Sequence, residues 1–246
     1  MDFLDIAVFL LLVMVGAYVQ TITGFAMGLL IVGGVTILGL APITFTAAVV
    51  GILSLVNTSL ILRHSLRHVH KMFLLYLLIG MLPSIFMGVF ILSVMSESQA
   101  VLLRQILGVV IITAGTLLTL KPDPWPTQSS KLAISITGVA GGLFGGMFST
   151  GGAPPAFLLY RQPLELIVIR STLLAIFFIT TLTRTVLISL DGQLTGKVLT
   201  VCAIAIPLVL LTTYYAPKFS PIGADAAIRK GVFILLIITG LLLIIT

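Results

Sequence analysis

Two stretches interrupt otherwise apolar runs with residues suited to holding an anion: QTITGFAMG, from Gln20 to Gly28, and GGLFGGMFSTGGAPP, from Gly141 to Pro155. Each breaks a membrane-length segment with glycines and hydroxyl residues. Irregular backbone at membrane depth is tolerated only where it is buried in protein or lines a cavity. A helix that restarts after such a break aims free N–H groups and the positive end of its dipole at that cavity. Pro154 or Pro155 fits the first turn of a restarted helix, where a missing N–H costs little. Hydroxyls from Thr21, Thr23, Ser149 and Thr150, and the Gln20 amide, add donors beside Gly24, Phe25, Gly151 and Gly152. This donor set suits a small oxyanion. A cation would want carboxylates or carbonyls. The competing reading is close packing alone, because Gly24-xxx-Gly28, Gly138-xxx-Gly142 and Gly142-xxx-Gly146 are small-xxx-small patterns. The matched positions of the two breaks favour a site.

Arg184, in TTLTRTVL, is the other candidate. An arginine within a membrane segment is costly and by default faces a cavity or a partner. It lies about two turns from the outer end of its segment, so snorkelling to the interface is the alternative. Asn57 and Thr58 interrupt a third segment and either line the same cavity or make a helix-to-helix hydrogen bond. His64 and His68 have metal-ligand spacing, but RHSLRHVHK is a basic loop without a carboxylate, so it reads as a solvated, lipid-facing loop. Arg104 and Arg229 open apolar segments and read as interfacial anchors.

Several chemistries find no residues. The seven acids, Asp2, Asp5, Glu97, Asp123, Glu165, Asp191 and Asp225, all fall at termini or segment ends, so none is placed for a proton relay. The single cysteine, Cys202, excludes an intramolecular disulfide and a cysteine metal cluster. Without a nucleophile–base or metal constellation, the chain does not read as an enzyme, and no cofactor or metal is expected. No Walker A motif is present, so ATP is not the direct energy source.

The elements that position these residues follow from composition. Of 246 residues, 59% are hydrophobic and 8% charged, against roughly 25% charged in a soluble domain. A bilayer-spanning helix needs about 20 apolar residues. Ten apolar segments begin near Phe3, Gly24, Ile43, Met72, Ala100, Leu132, Gly152, Leu166, Leu199 and Ala227. They are continuously apolar, so the reading is an all-α polytopic membrane protein. Asp2 and Asp5 stand where a signal peptide would be basic, so the first run is expected to be a membrane segment. The net charge of +6 is spread among loops, which fits membrane topology and lipid headgroups rather than nucleic acid.

The proline-rich stretch Lys121 to Lys131 is the one linker, and it divides the chain into 1–120 and 132–246. Gly16 and Gly24 match Gly138 and Gly146; Pro42 matches Pro163, Pro83 Pro207, Arg104 Arg229 and Gly115 Gly240, in order. That ordering implies a duplication. Arg63, Arg67, Lys71, Lys121, Lys131, Arg161, Lys218, Arg229 and Lys230 all reach the cytoplasm if the N-terminus is outside. Five segments per half then make the repeats inverted, each opening with a broken, hairpin-like helix pair. In such transporters the substrate site lies where the repeats meet.

The stretch GVAGGLFGGMFSTGGAPPAFLL resembles the second-half signature of the TauE/SafE family of sulfite-exporter-like permeases. QTITGFAMGL resembles its first-half form, and LVNTSLILRHSLRHVHK the segment that follows; the likeness covers nearly the whole chain. It implies a secondary transporter or facilitator in the inner (plasma) membrane that exports sulfite or an organosulfonate, with its site among Gln20 to Gly28 and Ser149 to Gly152. The family's compact glycine triplet is interrupted here by Met147, Phe148, Ser149 and Thr150. An anion channel, or an importer of a small carboxylate or sulfonate, is the alternative. The expected partners are the small anion and membrane lipid, with a homo-oligomer possible in this architecture.

Overall fold

A computed structural model describes residues 3–95, 99–119, 124–219 and 225–245. Side chains of Phe3, His64, Leu117 to Thr119, Phe219 to Lys230, Val232 and Phe233 lie outside that description. So do Asp2, Glu97, Lys121 and Asp123, and with them the expected boundary at 120.

The described chain is helical: α1 (Phe3–Thr23), α2 (Met27–Ile37), α3 (Ile43–Ser65), α4 (Lys71–Met95), α5 (Ala100–Thr119), α6 (Lys131–Phe148), α7 (Ala153–Tyr160), α8 (Leu166–Leu190), α9 (Gly196–Phe219) and α10 (Asp225–Ile245). Six of these helices are long and apolar enough to cross a membrane: α1, α3, α4, α6, α8 and α9. The chain is a multi-pass membrane protein. Bulky side chains such as Leu75, Phe86, Phe90, Val109 and Leu190 point outward, which is stable only against lipid.

Without a hydrophobic drive between helices in lipid, small residues must bring backbones close. The most extensive contacts follow that rule: α4 lies on α6, and α5 on α10. A Cβ on Gly138, Gly142 or Gly146 of α6 would strike the carbonyls of Leu77, Met81 or Ile85 on α4. These α6 glycines therefore pack helices, as the small-xxx-small reading proposed. Its first-half counterpart does not: Gly24 is a left-handed turn residue, and Gly28 faces the second break.

α3 and α8 pack against each other, and each also lies on a helix of the other half, α9 and α4 respectively. Buried polar side chains concentrate on this pair: Ser54, Asn57 and Thr58 on α3, and Thr172, Thr180, Thr181 and Arg184 on α8. The short helices α2 and α7 are packed against them.

Candidate functional site

The first break is built by local hydrogen bonds. The Gly24 N–H donates to Gln20 O at 2.8 Å and closes α1. Thr23 Oγ1 donates to Val19 O at 2.8 Å and accepts from the Phe25 N–H at 3.3 Å. Gly24 and Ala26 both take φ of 82°, a conformation glycine adopts freely and alanine does not. Phe25 is buried with its ring edge-on to Tyr160, whose hydroxyl donates to Thr23 O at 3.0 Å. α2 then restarts at Met27 with no side chain capping its first turn, leaving its leading N–H groups without an intrahelical partner.

The second break is held across the molecule. Ser149 closes α6 in the left-handed conformation, φ 57°. Its hydroxyl donates to Ala47 O of α3 at 2.8 Å. Arg184 donates from Nε to Gly146 O at 2.8 Å and from Nη1 to the same Ala47 carbonyl at 3.1 Å. Gly146 is in the last turn of α6, where carbonyls lack helical partners and the dipole is negative. The guanidinium therefore closes that helix end. At 2% exposure Arg184 does not snorkel, and among the described residues no carboxylate pairs with it and Nη2 has no protein acceptor. α7 starts at Ala153 with Pro154 and Pro155 in its first turn. The sequence promised similar N-terminal donors from both short helices, but two prolines carry no N–H, so α2 is the richer donor.

The two breaks touch: a Cβ on Gly28 would strike the Ser149 carbonyl and lie 3.2 Å from Thr150 Cγ2. Two small cavities flank this contact. One is bounded by Ser149, Phe177, Thr180, Thr181 and Arg184, with the backbone of Gly145 and Gly151. The other is bounded by Gln20, Ser54, Ser149, Thr150 and Phe177, with Gly152 and the start of α2. Each has room for roughly one water. In the second, the Gln20 amide donates to Ser54 Oγ at 3.0 Å. Thr150 is 3% exposed, yet its Oγ1 has no hydrogen-bond partner.

Gln20, Ser149, Thr150, Gly151, Gly152 and Arg184 of the expected residues thus line the cavities. Thr21, Thr23, Gly24, Phe25 and Asn57 do not. Thr21 donates to Ala17 O at 2.7 Å. Asn57 makes the helix-to-helix bond: its Nδ2 donates to Thr21 Oγ1 at 3.0 Å and Thr213 Oγ1 at 2.7 Å, tying α3 to α1 and α9. Sequence reasoning missed Ser54, Phe177, Thr180 and Thr181. The threonines carried a usable signal, since they fall four and three residues before Arg184 and share its helix face. Phe177 carried none.

The basic loop is less solvated than expected. His70 packs its ring on Phe73 at 5.0 Å, its backbone N–H donates to Thr172 Oγ1 at 2.9 Å, and the Nδ1 atoms of His68 and His70 are buried without partners. The linker from Pro124 onward is pinned to the end of α7. The Trp125 N–H donates to Arg161 O at 2.7 Å, and Gln162 exchanges bonds with Ser129.

The family model described as sulfite exporter TauE/SafE matches residues 8–243. Among curated proteins, the chain is 38% identical over 225 residues to the probable sulfite/organosulfonate exporter TauE of Cupriavidus necator, covering 92% of this chain and 88% of that protein. No solved structure gives a significant match.

Proposed function

Because the chain belongs to the TauE/SafE sulfite exporter family, we propose that it exports sulfite or a small organosulfonate across the inner membrane through the paired cavities at its two helix breaks. The observation that carries this reading is Arg184: a buried cation with no acid partner among the described residues, beside a cavity lined by Ser149, Thr180 and Thr181. A buried charge without a counter-ion is costly. Carbonyl caps offset part of that cost, and an anion in the cavity would offset the rest. Thr150 Oγ1 and the first turn of α2, which no side chain caps, offer further donors in the adjoining cavity.

The cavities are smaller than a sulfite ion, so the breaks must separate for the anion to enter. This favours a carrier that opens and closes over an open channel. An anion leaving a negative-inside cell gains about 2.3 kcal/mol per charge per 100 mV, enough to drive export without ATP.

Within this reading the chain is two inverted repeats, 1–120 and 132–246, joined by a cytoplasmic linker, with the N-terminus outside. Contact exchange supports the duplication: α4 on α6 and α9 on α1, α3 on α9 and α8 on α4, α2 on α10 and α7 on α5. The register that aligns the first residues of α3 and α8, Ile43 and Leu166, also aligns Ser54 with Phe177, Asn57 with Thr180, Thr58 with Thr181 and Ile61 with Arg184. Of these pairs, Ser54 and Phe177 line the same cavity, and Arg184 brings a charge where the first half has Ile61.

The test is sulfite efflux from loaded proteoliposomes under an imposed potential. The expected result is saturable efflux, faster with the interior negative and abolished by Arg184→Gln. Efflux of sulfite and sulfoacetate no greater than from protein-free vesicles would overturn the reading. Flux that rises linearly with concentration would favour a channel.

A further inference from the structure

Resting on that reading, we propose that Phe177 is the specificity-determining residue of the pathway: its ring is the movable partition between a charged and an uncharged anion chamber. The two cavities share only two residues as walls, Ser149 and Phe177. Ser149 is fixed, because its hydroxyl is bonded to Ala47 O and its backbone closes α6. The Phe177 ring makes no polar contact and turns about side-chain torsions whose wells lie within reach of thermal motion. It is the wall that can move.

Its seat is built for it. A Cβ on Gly152 would fall on the ring at Cζ, so the ring lies directly on the backbone of the second break. Any larger residue at 152 would take the ring's place. On α8, Thr180, Thr181 and Arg184 follow Phe177 at three, four and seven residues, on the same helix face. The residue therefore borders both the guanidinium chamber and the chamber edged by Thr150, Gln20 and Ser54.

The division has a chemical consequence. An anion passing from the uncharged chamber to Arg184 must displace an apolar ring, and hydrophobic constrictions of this kind block ions by excluding water. A tetrahedral or pyramidal oxyanion with several acceptor oxygens can exchange water for hydroxyl and amide donors before the ring moves. Chloride, with no fixed acceptor geometry, gains less there and is held back. The ring thus lets an uncharged site screen the anion before a charged one takes it.

The experiment measures chloride and sulfite flux in proteoliposomes for the wild type, Phe177→Ala, Phe177→Leu and Gly152→Ala. Phe177→Ala is expected to raise chloride flux several-fold and to narrow the preference for sulfite over chloride. Gly152→Ala is expected to do the same by unseating an unaltered ring, and Phe177→Leu to fall between. If Phe177→Ala does not fold, the other two variants carry the test. Chloride flux equal to that of the wild type in the folded variants would overturn the partition. Chloride is measured independently of sulfite, so a wild type that moves no sulfite would defeat the transport reading, while the partition would still stand or fall on chloride.

Discussion

Thr150 has a hydroxyl that the fold buries without a partner. Such a group costs about 1–3 kcal/mol, and Val would fill the same space without it. Thr150→Val should therefore leave melting temperature unchanged or raised, while weakening half-saturation by sulfite about tenfold, the value of one hydrogen bond to a charged group. A purely structural threonine would lose both properties or neither. Arg184 behaves oppositely. Lysine keeps the charge but cannot bridge two carbonyls as the guanidinium fork does, so Arg184→Lys should both abolish efflux and lower the melting temperature as Gly146 and Ala47 lose donors. Addition of saturating sulfite should raise the melting temperature of the wild type but not of Arg184→Lys. Efflux of wild-type rate from the lysine variant would show that charge alone suffices.

The glycine-rich helix α6 has two faces with different purposes. Gly138, Gly142 and Gly146 let α4 approach, whereas Gly141 and Gly145 lie against Gly151 and close the hairpin with α7. Overpacking typically costs about 1–3 kcal/mol, so Gly142→Val, which would meet Ser84 and the Met81 carbonyl, should lower thermal stability with or without anion. Gly28→Ala instead forces the two breaks apart at Ser149. It should keep most of the fold, because the added methyl group meets only the tip of the second break at Ser149 and Thr150, and lose transport. A variant that unfolds outright would show the tip contact to be structural. Pro154 and Pro155 begin α7 where a first-turn proline is tolerated, but they also strip that helix end of donors, which is why the site leans toward α2.

Across the whole molecule, the basic residues frame how the chain is oriented in the membrane. Lys131 lies over the Tyr76 ring, Lys218 over Tyr214 and Arg161 over Phe157, contacts suited to an interface where one end of each ring is wet. These residues should all face the cytoplasm. In a Cys202→Ser background, Gln193→Cys should react with a membrane-impermeant maleimide on intact cells. Ser129→Cys, in the linker, should react only after permeabilisation. The reverse pattern would invert the proposed topology.

The sequence alone determined the solvent, the helices and the breaks. Apolar runs of bilayer length leave helices as the choice, and their starts, from Phe3 to Leu166, agree with the observed helices to within a few residues. Glycine, proline and hydroxyl clusters announced the interruptions at Gly24 and Ser149, because these effects are local to the backbone. Which donors reach a cavity was not local. Gln20, Thr150 and Arg184 line it, while Thr23 spends its hydroxyl on the turn and Asn57 its amide on helices from both halves. The choice for Arg184 between interface and interior rested on carbonyls of α3 and α6, distant in sequence. Phe177 was invisible among the other phenylalanines of an apolar chain; only its seat on Gly152, made by packing between α7 and α8, distinguishes it. Tertiary structure decided these points because a side chain's role in lipid depends on which neighbour satisfies it, and here that neighbour belongs to another helix.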